Sequence, residues 1–215
     1  MTPWTWDRRI ERAEELAKVW PSAAEMLRFY AEIARLQKTI YEQQPSDVLA
    51  HLPALKRIGP PDLARKAEES GLLERWLMQP AYEYRAAHSD VARNVVQPDC
   101  PFCGEKPGVG VLRGEGDGAK RSLICSLCST EWDFRRLLCP GCGEERPDML
   151  PVYTATEVPY VRIEACDTCR LYIKAVDLTR NGLAVPVVDE LATISLNLWA
   201  EEHGYTKLQL NMLGM

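Results

Sequence analysis

The eight cysteines of this 215-residue chain form four Cys-x-x-Cys pairs. These pairs are Cys100 with Cys103, Cys125 with Cys128, Cys139 with Cys142, and Cys166 with Cys169. Two intervening residues let both sulfurs of a tight turn face one ion, and two such turns supply the four thiolates of a tetrahedral site for zinc or a single iron. In a reducing compartment, spacing this regular indicates metal or redox chemistry rather than disulfides. The sequence therefore predicts two metal ions, zinc or iron, each bound by four cysteines.

Distance along the chain predicts which pairs share an ion. Cys103 and Cys125 are separated by 21 residues and Cys142 and Cys166 by 23, which is enough for one hairpin each, whereas only 10 residues separate the second pair from the third. We therefore assign Cys100, Cys103, Cys125 and Cys128 to site 1, and Cys139, Cys142, Cys166 and Cys169 to site 2. An interleaved pairing is the alternative. The two units indicate an internal repeat of about 40 residues.

The residues around the pairs predict turns of one kind. In the first pair of each unit a Pro presets the turn, and the following Gly104 or Gly143 tolerates a positive φ. Ser129 and Arg170 follow the second pairs instead.

Dithiol redox chemistry is the competing interpretation, but it needs a pair at a helix N-terminus in a βαβ unit. A site made only of cysteines is closed to substrate, and no catalytic motif is recognisable, so we expect a protein that is not an enzyme.

The surrounding segments predict an α+β fold that positions these turns. We expect an all-α domain over residues 1–97, a first rubredoxin-like metal knuckle over 98–135, a second over 136–180, and a C-terminal helix and tail over 181–215. Apolar spacing predicts a helix through Met26, Tyr30, Ile33 and Ile40. Prolines divide the next helical stretch into segments at 72–78 and 82–96, and a last helix is predicted over 187–203. Short β-like runs at 110–112, 121–124, 152–155 and 160–163 are too short to bury a core of their own.

A candidate recognition patch follows the second cysteine pair. Glu131, Trp132 and Arg136 place an aromatic ring beside charged groups, which is the kind of surface that anchors a protein partner. The alternative is that Trp132 packs under the first knuckle and the charges are solvated. The sequence leaves both interpretations open.

Charge and hydropathy argue against nucleic-acid binding and against membrane insertion. The net charge is −5, and residues 100–169 carry 8 lysines and arginines against 11 aspartates and glutamates. This balance disfavours nucleic-acid binding, which needs a basic surface to displace counterions from phosphates. The N-terminal residues show no apolar stretch of signal-peptide length, and no stretch approaches a membrane span. We therefore expect a cytoplasmic protein with no nucleic-acid partner and no membrane insertion.

The order of the motifs resembles that of the formate dehydrogenase accessory protein (FdhE) family. The resemblance covers the C-terminal half and is carried by CPFCGEKP at 100–107, LICSLCSTEW at 123–132 with Arg136, CPGCG at 139–143, EACDTCRLYIK at 164–174 with Asp177, VDELA at 188–192, EEHGY at 201–205, and Asn211. Cys-x-x-Cys turns alone are common to many zinc ribbons, and their combination with the other segments is more specific.

The resemblance implies a cytoplasmic maturation factor with a helical N-terminal domain and two rubredoxin-like or zinc-ribbon modules. Such a protein would act like a chaperone on the catalytic subunit of formate dehydrogenase and would not catalyse the reaction itself. The chain is shorter than a typical member before Cys100. Two alternatives remain, a rubredoxin-like electron carrier and a zinc-ribbon nucleic-acid-binding protein.

Overall fold

The structure is a computed structural model that describes residues 4–44 and 46–215, without the side chain of Leu63. A helical region comes first, a seven-stranded sheet follows, and two helices lie near the C-terminus. This is the predicted α+β class. Within the described ranges, no helix combines the length and the apolar character needed to cross a bilayer.

In the described part of the N-terminal region there are five helices: α1 (Trp6–Val19), α2 (Ala24–Gln43), α3 (Leu52–Leu55), α4 (Pro61–Glu69) and α5 (Leu72–Ala87). Short 3₁₀ turns at Pro21–Ala23 and Val48–His51 precede α2 and α3. The predicted apolar repeat lies on α2, where Tyr30, Ile33 and Ile40 are buried. Because these positions recur every three to four residues, α2 can bury one face against α1 and the opposite flank against α5.

The prediction of two helices around Pro80 is wrong, since α5 continues through this proline. A proline inside a helix cannot donate to the carbonyl four residues earlier, which here belongs to Trp76. Gln37 of α2 replaces the missing donor, because its Nε2 donates to the Trp76 carbonyl at 2.9 Å. Helix α5 instead ends at Ala87, and residues 88–98 form an irregular segment. A tertiary contact therefore compensates for the lost hydrogen bond.

The seven strands form one sheet: β1 (Pro107–Glu115), β2 (Gly118–Cys125), β3 (Glu131–Asp133), β4 (Val152–Thr154), β5 (Val161–Ala165), β6 (Leu171–Asp177) and β7 (Thr206–Lys207). Their order is β3-β2-β1-β6-β5-β4, and β7 also pairs with β6. Neighbours within each knuckle are antiparallel, whereas β1 and β6 pair in parallel, with Gly110 opposite Ala175. This parallel pair joins the two knuckle segments into a single sheet, so neither has to bury a core alone.

The predicted last helix is interrupted at Thr193, which separates α6 (Pro186–Ala192) from α7 (Ile194–Glu202). The buried ammonium group of Lys174 in β6 lies at this break, where its Nζ donates to the carbonyls of Glu190 and Thr193 at 2.5 and 3.2 Å. These bonds satisfy carbonyl groups that are left without a helical partner where α6 ends. The expectation of one continuous helix is therefore wrong.

The helices α6 and α7 cover one face of the sheet and connect it to the helical region. Val188 and Leu191 of α6 pack with α1 and α2, whereas Leu196 and Ala200 of α7 pack with the sheet. Arg12 of α1 reinforces the junction, because its Nε and Nη2 bind the buried carboxylate of Asp189 at 3.0 and 2.6 Å. The domain boundaries at 97/98, 135/136 and 180/181 stay predictions.

Candidate metal centres

The four Cys-x-x-Cys turns share one backbone geometry. In each, the N–H of the first cysteine donates to the carbonyl five residues later at 2.9 Å. The donors are Cys100, Cys125, Cys139 and Cys166, and the acceptors are Glu105, Thr130, Glu144 and Leu171. The same bond at all four turns closes each into a loop that points both sulfurs to one side. The internal repeat inferred from the cysteine spacing is thus also a structural repeat.

The sulfurs gather into the two predicted groups. Site 1 brings together Cys100, Cys103, Cys125 and Cys128, and site 2 brings together Cys139, Cys142, Cys166 and Cys169, with the sulfurs of each group within 4.8 Å of one another. The interleaved pairing is not observed. In the described part of the chain, these are the groups of histidine, cysteine and carboxylate side chains that could hold a metal.

The sulfur spacing fits a tetrahedral metal. Contacts in site 1 measure 3.4 to 3.5 Å, and those in site 2 measure 3.7 Å. Four sulfurs at 2.3 Å from a central zinc would be about 3.8 Å apart, whereas a disulfide would bring two of them to about 2.05 Å. All eight cysteines are free thiols in this structure. The arrangement can therefore hold a metal ion in each site, and it fits zinc and iron equally well.

Backbone N–H groups point at the sulfurs and would stabilise thiolate charge. Phe102 donates to Cys100 Sγ at 3.4 Å, Leu127 to Cys125 Sγ at 3.4 Å, and Gly141 to Cys139 Sγ at 3.3 Å. Such donors around a cysteine-bound metal lower the cost of keeping four negative sulfurs together. Each N–H is two residues after its cysteine, so the tight turn itself supplies the donors.

The two sites differ in burial. In site 1 three cysteines are buried and Cys103 is half-buried, whereas in site 2 Cys142 is exposed and Cys169 is half-buried. Helix α5 packs beside site 1, where Arg75 donates to Ser126 Oγ at 2.9 Å. The difference predicts unequal accessibility of the two metals to reagents in solution.

The residue after each pair lies in the left-handed region, with φ of +77° at Gly104 and Gly143, +53° at Ser129 and +58° at Arg170. A side chain there is strained by the contact of its Cβ with the backbone. Arg170 has compensating contacts, since its guanidinium donates to Asp167 Oδ1 and the His203 carbonyl at 2.6 Å each and covers the Tyr205 ring. The second turns thus adopt the same conformation as the glycine turns, held by side-chain bonds.

Ser129 connects site 1 to the helical region. Its Oγ donates to Glu83 Oε1 at 2.7 Å in the protein interior. The same carboxylate accepts from Arg9 Nη1 of α1 at 2.8 Å and from Gln79 Nε2 at 3.1 Å. A turn that holds two site 1 cysteines is therefore bonded directly to the charged pair that links α1 and α5.

We expect Ser129→Ala to lower the free energy of unfolding by about 1.5–3 kcal/mol, because a buried carboxylate loses a hydroxyl donor. Ser129→Gly loses the same bond but removes the left-handed strain, so it should be less destabilising than Ser129→Ala by about 1–2 kcal/mol. Urea unfolding of the zinc-loaded proteins measures both. Equal midpoints for wild type and Ser129→Ala would show that the Glu83 contact contributes nothing.

The predicted recognition patch of Glu131, Trp132 and Arg136 does not form. Trp132 is 1% exposed and packs among Cys100, Leu123 and other core residues, with its Nε1 donating to the Gln97 carbonyl at 2.9 Å. Neighbouring side chains of a strand point to opposite faces, so Glu131 lies on the other face, where it pairs with Arg113 at 2.9 Å. Arg136 is exposed. Of the two interpretations, core packing under the first knuckle is therefore the one that describes Trp132.

Several polar residues that form buried contacts in the structure were not predicted from the sequence. Glu83 and Ser129 are 46 positions apart, and only folding brings them into contact. Arg121, Arg162 and Glu164 form a cluster on the face of the sheet opposite α6 and α7, with Glu164 bound by both guanidinium groups. The sequence does contain one indication of this cluster. Arg162 and Glu164 alternate with Val161, Ile163 and Ala165, which are buried in the structure. That pattern is typical of a strand with one polar face.

Comparison with known families adds to this geometry. The family model described as "FdhE, central domain" matches residues 99–136, and that described as "FdhE, C-terminal domain" matches residues 148–213. Each match contains cysteines of one site, and the second contains the polar residues Lys174 and Glu190. The matches thus cover the segments that build the sheet, all four cysteines of site 1 and two of the four cysteines of site 2.

Individual relatives agree with these matches. The FdhE homologue of Aquifex aeolicus is 42% identical over 117 residues, which cover 54% of this chain and 41% of that protein. The FdhE homologue of Shewanella oneidensis is 34% identical over 122 residues, covering 56% of this chain and 40% of that protein. The chain therefore matches less than half of the length of these curated relatives.

A solved structure shares the fold over almost the whole chain. The crystal structure of the FdhE protein from Pseudomonas aeruginosa aligns with a TM-score of 0.82, covering 99% of this chain and 97% of that one, at 23% sequence identity. That similarity shows the fold alone and extends it to the helical region. Over residues 99–136 and 148–213, this chain is therefore similar to the central and C-terminal domains of the FdhE family.

Proposed function

We propose that this protein is a cytoplasmic accessory protein for formate dehydrogenase, which binds the catalytic subunit of that enzyme during its maturation and is not itself a catalyst. Similarity to the central and C-terminal domains of the FdhE family supports the proposal, since the motif resemblance implies this role. The observation that carries it is the pair of four-cysteine clusters built into one sheet. A four-cysteine metal site is closed to substrate and stabilises a scaffold.

The metals would act structurally in this role. Each would bind four cysteines, and the energy of metal binding would stabilise the turn before β1, the turn after β2, the turn before β4 and the turn between β5 and β6. Free thiols persist in a reducing compartment, which supports the cytoplasmic assignment. The identity of the metal, zinc or iron, is open in the proposal.

The experiment is an affinity capture from the native host. Tagged protein with both sites filled, kept under reducing conditions, is expected to retain the catalytic subunit of formate dehydrogenase, as identified by mass spectrometry. The tag alone serves as one control. A variant with Leu183→Asp serves as another, because Leu183 is 74% exposed and could hold proteins non-specifically. Retention by wild type and by this variant supports specific binding, and absence of any formate dehydrogenase subunit refutes the proposal.

A rubredoxin-like electron carrier is the second candidate. The observation in its favour is the exposed position of Cys142, which would bring one ligand of the site 2 metal to the surface. Iron in the purified protein together with reversible one-electron reduction would support this candidate, and zinc in both sites would exclude it.

A further inference from the structure

Site 2 places an exposed sulfur next to a buried one. Cys142 is exposed and Cys166 is buried, and their Sγ atoms are 3.7 Å apart. The two cysteines belong to different turns, since Cys142 ends the turn before β4 and Cys166 begins the turn between β5 and β6. A disulfide bond has an S–S length of about 2.05 Å, so a small local movement is enough to join these sulfurs. One thiolate of site 2 therefore faces the solvent, with a second thiolate directly behind it.

The exposure of Cys142 follows from the residues beside it. Gly141 and Gly143 flank this cysteine, so neither neighbour has a side chain that could cover the sulfur. A Cβ added at Gly141 would lie 2.8 Å from Leu171 Cδ1, which excludes a larger residue there unless Leu171 moves. Gly143 has a φ of +77°, a conformation in which a side chain is strained. The turn therefore requires glycines at the two positions from which a neighbour could shield Cys142.

Site 1 has the same four ligands and the same turns, but it is covered. Its most accessible ligand, Cys103, is only half-buried and follows Phe102, which packs against the core beside the site. Helix α5 holds the second turn, because Ser129 Oγ donates to Glu83 Oε1 at 2.7 Å. Site 1 is therefore a protected counterpart of site 2 within the same molecule.

We propose that Cys142 and Cys166 form a site of reversible oxidation, at which a hydroperoxide converts the two thiolates of filled site 2 into a disulfide while site 1 stays reduced. The Cys142 thiolate attacks one oxygen of hydrogen peroxide, the O–O bond breaks, and a sulfenic acid and a hydroxide ion form. The Cys166 thiolate then attacks the sulfur of that sulfenic acid, so that the S–S bond forms and a second hydroxide ion leaves. Two thiolates lose two electrons in all, and one peroxide molecule is reduced.

The disulfide removes two of the four ligands of site 2. Because a metal binds the thiolate form of cysteine, the ion then keeps only Cys139 and Cys169 and is released. Loss of the metal loosens the turn before β4 and the turn between β5 and β6, whereas site 1 keeps its own metal and its bond to α5. This oxidation requires only filled metal sites, so it does not depend on the proposed client.

The test treats the zinc-loaded full chain with one equivalent of hydrogen peroxide. A zinc-responsive dye follows metal release, and after alkylation of the remaining thiols in denaturant, mass spectrometry of unreduced peptides identifies the disulfides. We expect release of one zinc ion per chain, a cross-link between Cys142 and Cys166, and complete alkylation of the site 1 cysteines. Oxidation of site 2 should be faster than that of site 1 by roughly ten-fold or more, because buried ligands react only after local opening. Dithiothreitol and added zinc should restore the two-zinc protein.

Ser129→Ala tests whether cover, rather than the ligands themselves, protects site 1. The variant keeps all eight cysteines but loses the bond from Ser129 to Glu83. With excess peroxide, oxidation of site 1 should accelerate by roughly ten-fold, because a buried bond no longer opposes opening of its second turn. The oxidation rate of site 2 should stay at the wild-type value, which makes site 2 the control within the same molecule.

Four results would overturn the proposal. They are equal oxidation rates of the two sites in wild type, a first cross-link that does not join Cys142 to Cys166, oxidation that dithiothreitol cannot reverse, or a wild-type rate at site 1 in Ser129→Ala. Circular dichroism and zinc content, measured before oxidation, ensure that the variant is compared as a folded protein with two zinc ions. The comparison of the two sites in wild type stands without the variant.

Discussion

A strong chelator should remove zinc from site 2 faster than from site 1, by roughly ten-fold or more, because a buried ligand is reached only after local opening of the structure. Cys142 of site 2 is exposed, whereas Cys100, Cys125 and Cys128 of site 1 are buried. Site 1 is also bonded to α5 through Ser129 and Glu83. Opening site 1 therefore also disrupts the buried network of Ser129, Glu83 and Arg9.

The measurement follows zinc release with a colorimetric chelator, in which we expect a fast and a slow phase of equal amplitude. Cys142→Ser should abolish the fast phase and Cys103→Ser the slow phase, since each variant removes one ligand of one site. A single phase, or loss of the slow phase in Cys142→Ser, would contradict the assignment. Hydrogen exchange provides an independent control, because α5 should lose protection only when site 1 is empty.

Glu190→Gln should lower the free energy of unfolding by about 3–5 kcal/mol, because it leaves two buried ammonium groups without a counter-charge. Glu190 Oε1 lies 2.9 Å from Lys174 Nζ and also contacts Lys207 Nζ, and its Oε2 accepts from Asn211 Nδ2 at 3.0 Å. All three charged side chains are almost completely buried. The network joins β6, α6, β7 and the C-terminal tail, so its loss affects four segments at once.

The pH dependence of this effect has a defined sign. Burial opposes ionisation of Glu190, but Lys174 and Lys207 outweigh it and lower the pKa of the carboxyl group from 4.5 to about 2. A carboxyl whose folded pKa is depressed stabilises the protein above its ordinary pKa, and this contribution is lost as the pH falls from 4.5 towards 2. The difference in stability between wild type and Glu190→Gln should therefore be full at neutral pH and shrink below pH 4.5.

Urea unfolding of both proteins across this range measures the difference, and release of metal in acid largely cancels because it affects both. Glu201→Gln is the matched control, since Glu201 is exposed on α7 and its substitution should change stability by less than about 0.5 kcal/mol. A loss below about 1 kcal/mol for Glu190→Gln would mean that neutral hydrogen bonds suffice to hold the two lysines.

The cysteine groups and the helical repeat of α2 could be predicted from residue spacing along the chain. Two residues between cysteines fix a tight turn, and the number of residues between pairs fixes which turns can meet, so local geometry is sufficient. The apolar spacing along α2 is likewise a local signal, because one helix face is buried at every turn. These features need no knowledge of the rest of the fold.

Where strands and helices begin, continue or break depends on contacts that form only in the folded protein. Strand β6 was not predicted, although it lies at the centre of the sheet, because its residues from Tyr172 to Val176 are buried on both faces and show no alternation. A buried Lys174 in this run is compatible with a core only because Glu190, from a distant segment, supplies its counter-charge. A buried charge is tolerated only when its partner is present, and that partner is supplied by folding.

Long-range contacts also determine how the helix continues at Pro80 and why Trp132 is buried. Gln37 supplies the donor that lets α5 pass through Pro80, and the pairing of β3 with β2 turns Trp132 into the core. The parallel pair of β1 and β6 then brings the two knuckle segments side by side, so that Arg121 of one and Glu164 of the other meet in a single cleft. Such contacts cannot be predicted from the spacing of residues along the chain. They form between segments that approach one another only when the whole sheet is assembled.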